Sequence, residues 1–301
     1  MVNLPTLKQL RHLAALAEER HFGKAALQCH VTQSTLSASI KELEETLEAP
    51  LVDRTKRRVV LTPTGEETAR RARQILEDAA SLTRAAQSAG EPLAGTLRMG
   101  VIPTIGPFLL PRVLGRLRRL YPRLRLYLRE DLTDRLIQQL EAGEIDLVLL
   151  ALPFDGGKVE SEILFEDAFF FCCRADHKLA RAPGVAPQRL QKETLLLLQD
   201  GHCLRQHALD ACNLRTRPAL DPFEATSLTT LVQMVDNGLG VTLLPELAIE
   251  AGVTKGTQLT TVKLEGKATY RKIGLAWRRG TKRREEFRLM GRELKKLAGR
   301  G

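Results

Sequence analysis

Between Thr96 and Leu152 the chain switches repeatedly between strand-like and helix-like apolar patterns, and that alternation limits the folds open to it. TLRMGVIPT reads as a strand, PFLLPRVLGRLRRLYP as an amphipathic helix and RLRLYLRE as a second strand. LTDRLIQQLEAGEIDLVLLAL then gives a helix and a third strand. Strands separated by helices of this length build α/β units around a parallel sheet. A similar series returns in TLLLLQD, FEATSLTTLVQMVDNGLGVTLLP and KIGLAW, which argues for a second lobe. Two such lobes tend to hold a small molecule in the cleft between them. Loops at the carboxyl ends of the strands face such a cleft, here Pro103-Thr104-Ile105-Gly106 and Glu130-Asp131-Leu132-Thr133. Thr104 and Thr133 are candidate contacts, with helix capping as the alternative for each.

The first sixty residues follow a different rule. Thr6 caps a helix whose apolar positions Leu10, Leu13, Ala14 and Leu16/Ala17 recur at helical spacing. A second helix starts at Phe22. After the short connection Gln28-Cys29-His30-Val31, Thr32 opens a third in TQSTLSASIKELEETLEAP. Leu36, Ile40, Leu43 and Leu47 form its inward stripe, while Gln33, Ser34, Thr35, Ser37 and Lys41 hold the outer face. Two helices joined by a tight turn, the second led by small polar residues, match a helix-turn-helix. After Pro50, LVDRTKRRVVLTPTG gives two short β-like runs around Arg54, Lys56, Arg57 and Arg58, a basic wing placed to grip phosphate backbone. A plain three-helix bundle with a solvated charged turn is the alternative.

From Pro63 to about Gly90 a long helix repeats Ala69, Ala72, Ile75/Leu76, Ala79, Leu82/Thr83 and Ala86, the pattern of a coiled-coil seam. Its other faces carry Arg70, Arg73, Glu77 and Asp78, which favours a dimerising linker over a helix packed only on its own domain. The expected divisions are a DNA-binding domain over residues 1–62, a linker over 63–91, and an effector domain over 92–301. The effector domain divides into lobes of residues 92–166 plus 269–301 and of 167–268.

Two of the five cysteines, Cys203 and Cys212, sit nine positions apart in LLLLQDGHCLRQHALDACN. On a continuous helix nine residues rise about 13 Å and turn through about 900°, which sets the pair on opposite faces. A disulfide needs Cα atoms within roughly 7 Å, so joining them means unwinding the helix. His202, Arg205 and His207 lie within about a turn of Cys203, and Gly201 breaks the chain before it. Positive charge and a helix N-terminus both lower a thiol pKa. Cys203 is therefore the candidate oxidant-attacking thiol and Cys212 the resolving one, against the alternative of two ordinary buried cysteines. Neither Cys29 nor the pair Cys172 and Cys173 offers zinc-ligand spacing, so no metal is expected and no cofactor is implied.

A chain of 301 residues suits about two domains. It has no signal-peptide pattern and no apolar run of membrane-spanning length, so it reads as cytoplasmic, where thiols stay reduced. Its net charge of +10 suggests a polyanionic partner. Most of that excess falls after residue 270, with twelve Lys or Arg against three acidic residues. That tail could touch nucleic acid, though a charge run is more often a solvated helix face.

The run FGKAALQCHVTQSTLSASIKELEETLEAPLVDRTKRRVVLTPTGEE resembles the DNA-binding domain of LysR-type transcriptional regulators. It keeps Ala25-Ala26, Ser37, Ile40, Leu43-Glu44, Leu51, Arg54, Leu61-Thr62 and Gly65, and departs with Val52 where the family usually has Phe. The remainder resembles the family's effector domain, whose two lobes are similar to periplasmic binding proteins. GVIPTIGPFLLP, QDGHCLRQHALDAC and EATSLTTLVQMVDNGLGVTLLP resemble the members that sense hydrogen peroxide, and their two redox cysteines fall on Cys203 and Cys212. The resemblance implies a peroxide pocket of Thr104, Thr133, His202 and Arg278 beside Cys203. It also implies a homo-oligomer, dimer or tetramer, acting on promoter DNA and with RNA polymerase, and not an enzyme. Two other expectations stay open: a family member answering to an organic ligand in the cleft, and a thiol peroxidase or dithiol oxidoreductase.

Overall fold

The protein is described as a computed structural model covering residues 4–55, 58–87, 93–154, 157, 159–211, 220–266 and 269–299. It forms two compact units, one ending with the long helix and one from Leu93 onward.

In the first unit, helix α1 (Leu7–Glu19) opens on a reciprocal cap: the Gln9 amide donates to Thr6 Oγ1, and the Thr6 amide donates to Gln9 Oε1. Helix α2 (Phe22–Gln28) is capped by His21, whose Nδ1 accepts from the Gly23 and Lys24 amides. Helix α3 (Gln33–Leu47) is capped by Thr32. Strands β1 (Val52–Thr55) and β2 (Arg58–Leu61) pair antiparallel as the expected wing. Glu44 ties the wing to α3, its Oε1 accepting from the Leu51 and Val52 amides at 2.8 and 3.0 Å. Val52 is buried in the core beside Leu51 and Leu61.

Helix α4 (Pro63–Gln87) is the expected linker, but its apolar stripe serves two purposes. Ala69 and Ala72 are buried in the core of their own unit, with Leu76 packed against it. Ile75 and, further along, Leu82 stay exposed, Leu82 at 74%. The small-residue half of the stripe therefore belongs to the first unit.

The second unit is built around a seven-stranded sheet. Strand β3 (Gly95–Val101), helix α5 (Gly106–Leu120), strand β4 (Leu124–Glu130), helix α6 (Thr133–Glu141) and strand β5 (Leu147–Leu152) form the expected parallel units. The sheet as a whole is mixed, since β-strands later in the chain join these parallel units antiparallel. Strand β6 (Val159–Arg174) runs antiparallel through both lobes, so the lobe boundary expected at residue 166 falls inside it. The rest of the unit comprises β7 (Leu195–Leu198), α7 (Cys203–Ala211), β8 (Leu220–Ala225), α8 (Leu228–Asp236), β9 (Thr242–Pro245), α9 (Glu246–Glu250), β10 (Leu259–Lys263), β11 (Tyr270–Arg278) and α10 (Arg284–Leu297). The first half of β6 pairs with β11, and its second half with β9 and β10. Strands β7 and β8 pair parallel in a separate ladder.

The last part of the basic tail forms helix α10. Phe287, Met290 and Leu294 bury its apolar side. On the other side Arg284 pairs with Glu160 and Arg288 with Glu162, while Arg283, largely buried over the Phe287 ring, pairs with Glu286 and Asp146. Among the described residues no helix is long and apolar enough to cross a membrane.

Candidate functional site

Helix α7 starts at Cys203 because Gly201, at φ +95°, turns the chain sharply out of β7. The turn delivers His202 and Cys203 to the loops that follow β3 and β4. A pocket of about 170 Å³, part of it open to solvent, is lined there by Ile102, Pro103, Thr104, Leu132, Thr133, Gly201, His202 and Cys203. Its enclosed part is only about 10 Å³, room for about one water-sized molecule, whereas organic ligands usually occupy roughly 300–1,000 Å³. This pocket suits something much smaller.

Four sequence-predicted residues, Thr104, Thr133, His202 and Cys203, thus meet in one place. Thr104 is buried and its hydroxyl accepts from Arg271. Thr133 is the first residue of α6, and its buried hydroxyl makes no conventional hydrogen bond. His202 is buried, and burial pushes its imidazole below its ordinary range, leaving it neutral.

Arg278 is elsewhere. It closes β11, and its Nη1 donates to the Leu140 and Ile145 carbonyls at 2.7 and 2.8 Å, where α6 hands over to β5. The arginine beside the pocket is Arg271, seven residues earlier and ~23 Å away at the rise of an extended strand. Its Nη1 donates to Thr104 Oγ1 at 2.8 Å and its Nη2 to the Thr104 carbonyl at 2.9 Å. Its Nε donates to Asp167 Oδ2 at 3.0 Å, and Asp167 Oδ1 accepts the Leu247 amide. Both ionised side chains are fully enclosed, yet every oxygen and nitrogen named here is matched. In the sequence Arg271 stands as the first charge of the basic tail. The signal available was a lone arginine in the strand YRKIGLAW at a position that alternation points inward.

The thiol environment differs from the expected one. Burial pushes the Cys203 thiol above its ordinary pKa; the Thr133 hydroxyl, the Arg271 charge and the amides of Ala151 and Cys203 oppose this without reversing it. Arg205 turns to its own loop, donating to the Leu198 carbonyl at 3.0 Å and pairing with Asp200 at 3.1 Å. His207 is held neutral by burial. The positive charge acting on the sulfur is therefore Arg271, and burial favours the protonated thiol. Cys212 lies outside the described residues, as do Lys56 and Arg57 of the wing. Cys172 and Cys173 are fully buried on β6 and Cys29 is buried in the first unit, so these three pack as core residues. Among the described residues no cluster could hold a metal ion.

At the other end of the chain, Gln33, Ser34 and Thr35 stand exposed on the first turn of α3, with Lys41 exposed one face further on and Ser37 half-buried between them. Thr32 spends its hydroxyl on the Thr35 amide. Leu36, Ile40 and Leu43 anchor the opposite side completely. Arg54 and Arg58 lie on the two strands of the wing.

A winged helix-turn-helix followed by a two-lobed α/β unit defines a DNA-binding transcription regulator with an effector domain. The chain belongs to the LysR family. Residues 7–66 match the bacterial regulatory helix-turn-helix protein, lysR family, and residues 90–299 match the LysR substrate binding domain. It is 41% identical to the HTH-type transcriptional regulator EstR of Acinetobacter baylyi, over 99% of this chain and 98% of that one. It is 39% identical to a probable hydrogen peroxide-inducible genes activator of Streptomyces viridosporus, over 97% and 94%. Its structure is similar to that of a cysteine-to-aspartate variant of full-length OxyR from Pseudomonas aeruginosa, with a TM-score of 0.80 at 34% identity, covering 96% of this chain and 94% of that one.

Proposed function

We propose that this regulator senses hydrogen peroxide by oxidation of Cys203 and disulfide formation with Cys212, and that the change in its effector domain alters DNA binding. The observation that carries the reading is Cys203 lining a small pocket with Thr104, Thr133 and His202, backed by the buried Arg271. Peroxide is small, neutral and hydrogen-bonding, and hydroxyl and imidazole groups suit it.

The chemistry follows from the groups present. A protonated thiol is a weak nucleophile, so the sulfur must shed its proton as peroxide arrives. Neutral His202 can accept that proton and pass it to the departing oxygen. The sulfur attacks one peroxide oxygen, the O–O bond breaks, and the second oxygen leaves as water. Cys203 becomes a sulfenic acid. Arg271 favours the anionic sulfur on the way. The Cys212 thiol then attacks the sulfenic sulfur, the S–S bond forms, and the hydroxyl leaves as a second water. Joining residues nine apart requires α7 to unwind, which makes the helix a two-state element coupled to the rest of the unit. The protein acts in the cytoplasm as a homo-oligomer on promoter DNA, with RNA polymerase as downstream partner, and it is consumed stoichiometrically instead of turning over as an enzyme.

The test is one equivalent of hydrogen peroxide added to reduced protein, followed by alkylation and peptide mass spectrometry. A rapid Cys203–Cys212 disulfide with Cys29, Cys172 and Cys173 alkylated supports the reading. Five alkylated cysteines would sink it and leave a ligand-responsive regulator. Cys203→Ser should keep DNA binding and lose the peroxide response. Catalytic turnover with a reductant would instead indicate a thiol peroxidase.

A further inference from the structure

Helix α7 spans only Cys203–Ala211, too short to be stable by itself in water, so its surroundings must hold it wound. Leu204 and Ala208 bury one side of it. Arg205 ties its start to the Leu198 carbonyl. One turn further on, His207 sits on the same face as Cys203, at the i+4 position, and its Nε2 lies 2.9 Å from the Pro153 carbonyl in the loop after β5. A carbonyl only accepts, so Nε2 carries the proton and donates. That leaves Nδ1 as a bare acceptor, and it is enclosed with no partner.

We propose that the His207–Pro153 hydrogen bond is the clasp that keeps α7 wound in the reduced protein, making His207 a positioning residue that sets how readily the Cys203–Cys212 disulfide forms and how sensitive it is to acid. The inference rests on the disulfide reading above.

The acid sensitivity comes from the bare Nδ1. Protonating it would place an N–H where nothing can receive it, and a charge in an enclosed site. Burial dominates in holding the wound-state imidazole below its ordinary range, and the Arg271 charge adds to it; the Pro153 carbonyl and Asp210 pull the other way. Unwinding returns the ring to water and to its ordinary behaviour. The wound form is thus fully favoured above the ordinary histidine pKa and loses ground as pH falls below it. Acid and peroxide push the same helix in the same direction.

The experiment equilibrates the full-length protein with a defined thiol–disulfide couple, traps the thiols, and reads the disulfide fraction by mass spectrometry between about pH 7.5 and 5.5. Both partners exchange two thiols for one disulfide, so the exchange constant is proton-neutral below the thiol pKa. His207→Ala, which loses a bond made only in the wound form, should shift the constant about fivefold toward disulfide, or about 20 mV for the two-electron couple. His207→Gln retains a donor for Pro153. Its constant should match wild type at the upper pH and rise less steeply on acidification. His202 is also held neutral by burial and contributes equally to all three proteins, so the His207 part is the difference between them. Identical constants in the three proteins at every pH overturn the clasp. If His207→Ala fails to fold, the pH comparison of wild type with His207→Gln decides alone. A wild-type protein that forms no Cys203–Cys212 disulfide overturns the underlying reading instead.

Discussion

Arg271 and Thr104 are 167 positions apart in the chain and meet twice, at the threonine hydroxyl and at its carbonyl. The same guanidinium is paired with Asp167, so one side chain joins the pocket loop after β3 to strands β6 and β11. The contact fixes where the Thr104 hydroxyl points and puts a positive charge near the Cys203 sulfur.

Removing that arginine should be costly in two measurable ways. Arg271→Ala leaves Asp167 buried and unpaired, a loss of about 3–5 kcal/mol, which lowers the effector-domain melting temperature by about 10 °C. Arg271→Lys keeps the charge but not the fork that spans Thr104 and Asp167 together. Its peroxide oxidation of Cys203, followed by stopped-flow thiol loss, should slow by roughly tenfold, the scale of one charge-assisted hydrogen bond. A Lys variant as fast as wild type would show that the charge alone suffices.

The sequence made the DNA-binding unit readable almost residue by residue, because its signals are local. Thr6 and Thr32 cap where a hydroxyl before an apolar stripe should, and Leu36, Ile40 and Leu43 face inward at helical spacing. The pocket was readable where a motif carried it, as with His202 and Cys203, or where a βα loop did, as with Thr104 and Thr133. Arg271 was not, since its meaning depends on an antiparallel strand pairing that brings Asp167 opposite it. Strand β6 escaped for a related reason: its sixteen residues change partners midway, so no single alternation marks them. The thiol pKa went wrong in sign because sequence proximity counts Arg205 and His207 as charges near the sulfur, while the fold turns one away and neutralises the other.

Thiol reactivity should therefore be ranked against expectation. Burial raises Cys203, and it pushes Cys172 and Cys173 up to about 12 and about 11. With iodoacetamide at about pH 8, folded reduced protein should label Cys203 more slowly than urea-unfolded protein does, and Cys172 and Cys173 last of all. Each thiol raised on folding contributes stability that is present below its unfolded pKa and lost as pH rises through the folded one, so the reduced effector domain should weaken above about pH 9. A Cys203 that labels faster when folded than unfolded would contradict the protonated resting thiol.

Along α4, the stripe divides between the unit's own core and an exposed remainder, and oligomerisation should depend on the remainder alone. Leu82→Glu places a charge on a side chain that is 74% exposed and should leave the melting of the DNA-binding unit unchanged within about 0.5 kcal/mol. Sedimentation at micromolar concentration should show a smaller assembly than wild type. Ala72→Glu, by contrast, buries a charge in the unit's own core and should unfold it. Equal assembly in the Leu82 variant and wild type would remove α4 from the interface.

Gly65 lies in the first turn of α4, and its amide donates to Thr62 Oγ1, which in turn donates to the Pro50 carbonyl. A Cβ on Gly65 would fall 2.0 Å from the Leu51 carbonyl oxygen and 2.9 Å from its carbon, so backbone would have to move. Leu51 cannot yield cheaply, because its amide is held by Glu44 of α3 and its side chain is fully buried. Gly65→Ala should thus cost the DNA-binding unit about 3 kcal/mol, displace the wing from α3, and weaken DNA binding by tenfold or more at constant salt. Gly115, on the open face of α5 with nothing within 4 Å of its own added Cβ, provides the contrast. There the same substitution gains helix propensity and should stabilise the effector domain by up to about 1 kcal/mol. Separate melting curves for the two units give both numbers, and a Gly65→Ala protein as stable as wild type would mean that the wing and α4 do not approach as closely as Leu51 and Gly65 do here.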